Sequence, residues 1–138
     1  DDALLFAVAA SSTYFFRIHA FYSSASATPQ LKLTVAGPAG ATGNWDLLNV
    51  ADGGVANDTG WSPDTDTGTP ADQNVLSSLG AVKSFTTAAG VTSGLIIAGR
   101  ITTAGTAGNL NFQWAQNVSN ATATKVLAGS ILEWIRVV

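Results

Sequence analysis

His19 is the only histidine in a chain of 138 residues that has no cysteine. Thiolate metal sites, disulfides and histidine-pair ligation are therefore excluded from the start. A Ser-His-acid relay would have to bring one of many serines to His19, and no Gly-x-Ser-x-Gly elbow is present. The expected role of His19 is structural. The carboxylates Asp64, Asp66 and Asp72 lie in DTDTGTPAD with Gly68 between them. Alternating Asp oxygens in a Gly-containing loop are the donor type for Ca²⁺, and Asp64 and Asp66 are the candidates for such a site. The run lacks the twelve-residue spacing and closing Glu of the hand-type loop. A solvated Asx turn is the favoured reading, and no metal or other cofactor is expected.

Glycoside cleavage needs two carboxylates across a cleft, yet only Glu133 lies in a strongly predicted strand. It reads as a paired or interfacial charge, with Arg17, Arg100 and Arg136 as the available cations. Trp45, Trp61, Trp114 and Trp134 could stack on sugar rings. Trp114 and Trp134 fall in strands and read as core or interface anchors. Trp61 lies in an irregular stretch where no core periodicity demands it, which makes it the candidate for external contact. Asn57, Asn117 and Asn120 open glycosylation-type triplets, a pattern common by chance in Asn/Thr-rich sequence. No catalytic residue emerges, and the chain is expected not to be an enzyme.

These residues are carried by strands. Period-two alternation dominates and long helical periodicity is absent. From Thr13 to Tyr22, Tyr14, Phe16, Ile18, Ala20 and Tyr22 share one face, while Phe15, Arg17, His19 and Phe21 share the other. Gln30 to Val35 alternates Leu31, Leu33 and Val35 against Lys32 and Thr34, then stops at Gly37-Pro38. Gly94 to Thr103 is a largely apolar strand whose Gly99 signals a bulge or a close backbone approach. Leu110, Phe112 and Trp114 form one face of another. Ser130 to Val138 is apolar on both faces, with Ile131, Ile135 and Val137 opposing Leu132, Trp134 and Val138. Val75 to Leu79 is the one place for a short helical turn.

These strands, with Gly-rich turns between them, predict a single all-β domain over 1–138, an antiparallel sandwich. An irregular insertion occupies about 44–80 and is rich in Asp, Gly, Thr and Pro; loops of that length are usually functional or poorly ordered. Strands that are apolar on both faces need a second covering surface. Phe15, Phe21, Leu132 and Trp134 are the candidates for a subunit interface.

Composition agrees. Hydrophobic residues make up 46% and charged residues only 11%, well below the roughly 25% of ordinary domains. So sparsely charged a surface suits a subunit that buries faces against copies of itself better than it suits a monomer. A net charge of −3 and a pI near 4.7 argue against nucleic-acid binding, which needs a basic stripe. No run approaches the 18 or more apolar residues of a membrane span, so no membrane partner is expected. The absence of Met suggests a processed chain or a piece of a longer one.

Three segments carry a family resemblance. DDALLFAVAASSTYFFRIHAFYSS opens the chain, LKLTVAGPAGAT runs from Leu31 to Thr42, and GRITTAGTAGNLNFQWAQNVSNATATKVLAGSILEWIRV closes it. In this order and spacing they resemble a β-rich module of bacteriophage virion proteins, especially from phages of actinobacteria. The match covers about two-thirds of the chain and leaves out the middle. More distantly, the module resembles the trimeric jelly rolls of tumour-necrosis-factor and complement-type heads. The resemblance implies a non-enzymatic virion structural protein, a homotrimer serving as a capsid decoration protein or as a tail-fibre or minor-tail module. Its partners would be other virion proteins and host surface polysaccharide. The alternative from another class is a carbohydrate-binding module of a secreted bacterial protein.

Overall fold

The computed structural model describes residues 4–50 and 76–137. Ten strands account for the regular structure there: β1 (Leu5–Val8), β2 (Thr13–Ser24), β3 (Leu31–Ala36), β4 (Thr42–Val50), β5 (Ser77–Ser78), β6 (Val82–Phe85), β7 (Val91–Thr102), β8 (Gly108–Ala115), β9 (Thr124–Val126) and β10 (Ile131–Arg136). The fold is an all-β sandwich of two antiparallel sheets. The first runs β1-β8-β3-β6; the second runs β10-β2-β7-β4-β5, with β9 also on β2. β1 pairs with β8, β2 with β7, β3 with β6 and β4 with β5. Strand n thus meets strand 9−n, the winding of a jelly roll in which one long hairpin is rolled into two sheets. β10 and β9 follow that unit and line up on the free edge of β2.

Alternation decides what enters the core. Along β2, Tyr14, Phe16, Ile18, Ala20 and Tyr22 are buried, and the odd-numbered residues point away. The opposing sheet contributes Phe6, Val8, Leu31, Leu33, Val35, Leu110 and Phe112. Trp45, Leu47, Leu95, Ile97 and Ile101 complete the core from β4 and β7. Each such side chain contributes roughly 1.5–3 kcal/mol by leaving water. Gly99 is required by close approach: a Cβ there would stand 2.5 Å from Phe16 Cζ and 2.6 Å from the Asn44 carbonyl oxygen. The register is unbroken at Gly99, and the irregularity of this sheet lies on β4 between Leu47 and Asn49.

The two described flanks of the predicted irregular stretch, 44–50 and 76–80, are more regular than their composition predicts. β4 extends to Val50, and Ser77–Ser78 pairs with Asn44 and Trp45 as a strand rather than a helical turn. Trp45 explains this. It is fully buried, and its indole N–H donates to the Ser78 carbonyl at 3.1 Å, which pins β5 to β4. The Lys83 ammonium lies 5.7 Å from the centre of the Trp45 ring and 3.4 Å from Asp46 Oδ1, bridging the sheets.

Both sheet ends are tied down locally. The Thr103 hydroxyl donates to the Ala9 carbonyl at 2.6 Å and accepts from Ser12 N–H at 2.9 Å, locking the β1–β2 turn to the end of β7. At the opposite end, Gln30 has φ 55°, a left-handed conformation that non-Gly residues adopt at a cost. Asn117 holds it there: its side-chain amide donates to Gln30 Oε1 at 2.6 Å and accepts from the Ser84 hydroxyl at 3.1 Å.

Candidate interaction surface

Among the described residues, those that could do chemistry are not gathered. His19 lies on the outward face of β2, directly opposite Ile131 of β10 and Ile96 of β7. The nearby Ser130 hydroxyl is engaged with backbone, accepting from Phe21 N–H and donating to the Leu127 carbonyl. Among the described residues no three of His, Cys, Asp and Glu come together. Asp64, Asp66, Asp72, Asn57 and Trp61 lie outside the described residues. Asn117 and Asn120 serve local structure, Asn117 as above and Asn120 by accepting from Thr122 N–H at 2.8 Å.

What the fold does assemble is a surface. Strand pairing places odd-numbered residues of β2 and β10 and even-numbered residues of β7 on the outward face of the six-stranded sheet. Phe15, Phe21, Ile131 and Ile135 stand there, 43 to 65% exposed, with Ile96 half-buried among them. The Phe21 ring lies 3.7 Å from where a Cβ on Gly94 would sit, so it lies over the glycine and widens the apolar area. The central charges face each other, since Arg17 is directly opposite Glu133 across the β2–β10 ladder. Directly opposed side chains in such a ladder have Cβ atoms roughly 4.5–5.5 Å apart. Glu133 is thus opposite Arg17 in the ladder, one of the three arginines its sequence neighbourhood offered, although the two side chains do not come within ion-pairing distance.

Of the four interface candidates, Phe15 and Phe21 stand on this face. Leu132 and Trp134 do not: they are the inward set of β10, opposite Ile18 and Phe16. Leu132 packs on the core. Trp134 stacks on Phe6 at 4.9 Å and meets Tyr14 edge-on at 5.8 Å, closing the seam between the sheets. Leu132 thus has cover within the chain, whereas Trp134 keeps 50% of its surface exposed despite its ring contacts. Ile131 and Ile135, which the sequence does not single out as interface candidates, stand on the outward face instead. Both residue sets of β10 are apolar, so only its register against β2 tells them apart.

The outward face of the four-stranded sheet differs. Its centre holds Asn109, Asn111 and Gln113 of β8 beside Lys32 and Thr34 of β3. Its exposed large apolar residues, Leu5 and Val82, lie apart on the two edge strands.

Set against known proteins, the chain matches no family model, no curated protein and no solved structure. Fold and surface together define a jelly-roll sandwich with one apolar and one amide-rich outer face.

Proposed function

We propose that this chain is a non-enzymatic structural module of a bacteriophage virion, working as a homotrimer and serving as a capsid decoration protein or a tail-fibre or minor-tail module. The observation that carries the reading is the polarity of the two outer sheet faces. Apolar exposure is concentrated over β10, β2 and β7, where a subunit contact would bury it, while the opposite face is suited to water. The resemblance of both chain ends to phage virion modules supplies the setting. The mechanism is burial: copies lock through one face and present the rest of the molecule outward.

The test is antibody labelling of intact virions from the source phage. Signal on the head or on the tail supports the reading and chooses between its two forms; particles that lack the chain sink it. A second reading, a carbohydrate-binding module, draws on the Asn109, Asn111 and Gln113 ladder, whose amides match sugar hydroxyls in hydrogen-bonding capacity. Glycan-array binding by the isolated monomer, lost in Asn111→Ala, would favour it.

A further inference from the structure

Resting on the reading above that the chain assembles, we propose that the outer face of the six-stranded sheet is covered by a second copy of this chain. The contact is seated over β10, β2 and β7, with Phe15, Phe21, Ile131 and Ile135 as anchors and the opposed charges Arg17 and Glu133 enclosed within it.

Charge selects the occupant. Arg17 and Glu133 oppose each other at the centre of the patch, so the middle of the face brings its own counter-charge. At one end Arg100 of β7 stands diagonal to Asp46 of β4, and at the other Lys125 of β9 lies at the rim opposite Ser23. A nucleic acid or an anionic bilayer selects a run of uncompensated cations, and the centre of this face has none. A copy of the same face meets no net repulsion there.

The side chains agree. Around the pair stand Ile and Phe residues on a flat pleat, with Phe21 laid over Gly94. A glycan needs amides and hydroxyls, and on this face Thr13, Thr102, Ser23 and Thr92 stand at the two ends of the β2–β7 pair rather than at its Ile and Phe centre. Flat aliphatic surface is best matched by more of the same, which is what a second copy supplies.

The edge of the sheet gives independent support. Among the described residues nothing pairs with the outer side of β10. It is a six-residue edge, free of Pro and Gly, with apolar residues on both sides of its pleat. The outermost strands elsewhere are shorter, at four residues for β1 and β6 and two for β5. Glu133 and Arg136 charge the β10 edge only in part, and a free edge is what proteins normally shorten, charge or cover. A copy seated on the adjoining face lies against this edge and covers it.

Sedimentation equilibrium and light scattering on the full chain test the proposal, with circular dichroism to verify folding. Wild type is expected to be oligomeric at micromolar concentration. Phe15→Asp and Ile135→Asp are each expected to weaken association at least a hundredfold, while Gln113→Asp on the other face leaves it unchanged. Removing one charge with Glu133→Leu strands Arg17 in the contact and weakens association roughly a hundredfold. The double change Arg17→Leu with Glu133→Leu restores it to within about tenfold of wild type. If Phe15→Asp does not fold, Ile135→Asp carries the test, because that side chain is 65% exposed at the sheet edge. An oligomer that survives the face variants overturns this contact and leaves the assembly reading standing. A wild-type chain that stays monomeric overturns both.

Discussion

β2 and β8 are both interior strands of a sandwich, and their inward faces are equally well buried. Phe16, Ile18 and Tyr22 in one correspond to Leu110 and Phe112 in the other. Their outward faces differ. β2 presents Phe15, Arg17, His19 and Phe21, whereas β8 presents Asn109, Asn111 and Gln113. The inward faces answer to the fold, because they must fill one core. The outward faces carry no such obligation, so their composition reports what each surface meets. Amides keep their hydrogen bonds in water. Exposed Phe and Ile keep nothing there and gain only when covered.

The sharpest contrast lies between neighbours on β7. Ile97 is fully buried and Ile96 points outward. Ile97→Ala is expected to destabilise the folded chain by about 4 kcal/mol in denaturant titration. Ile96→Ala is expected to change it by less than about 1 kcal/mol while weakening self-association. Equal losses at the two positions would break the distinction between core and contact face.

The glycines of β7 sharpen the same point at smaller size. Gly99→Ala forces a methyl against Phe16 and the Asn44 carbonyl and is expected to cost about 2–3 kcal/mol. Gly94→Ala meets Phe21 at an ordinary 3.7 Å contact and should be nearly neutral. Thermal unfolding of the two variants side by side decides it.

On the amide-rich sheet, the Thr34 hydroxyl is buried without a hydrogen-bond partner. Thr34→Val removes that unmet group at nearly constant shape. It is expected to stabilise by about 1 kcal/mol, raising Tm by roughly 3–5 °C. A fall in Tm would mean that the hydroxyl is satisfied in the folded chain after all, as by a bound water. Smallest is Ser11→Gly in the turn that links the sheets. Ser11 has φ 50°, and relieving it should add about 0.5–1 kcal/mol in the same melts without affecting association.

Much of this architecture was legible before any coordinates. The alternation of Thr13 to Tyr22 names the buried set of β2 without error, and Leu31, Leu33 and Val35 do the same for β3. β4 was not legible, because Trp45 stands between Asn44 and Asp46 and the adjacent Leu47 and Leu48 break the alternation. Its strand character comes from a ladder to β7 and from burial of Trp45, both contacts across long stretches of chain. β5 was misread as a helical turn because two serines carry no periodicity at all. The candidate surface was half legible. Phe15 and Phe21 follow from β2 alone, but Ile131 and Ile135 were exchanged for Leu132 and Trp134.

That exchange marks the boundary between the two kinds of information. Sequence alone determined an all-β chain, free of cysteine and with a single histidine, whose apolar residues exceed what one core needs. Period two separates a strand's faces only when one face is polar. Where both are apolar, as in β10, the pattern carries no sign. Only the pairing of Trp134 with Phe16 and of Ile135 with Phe15 decided which side closes the sandwich and which side faces outward.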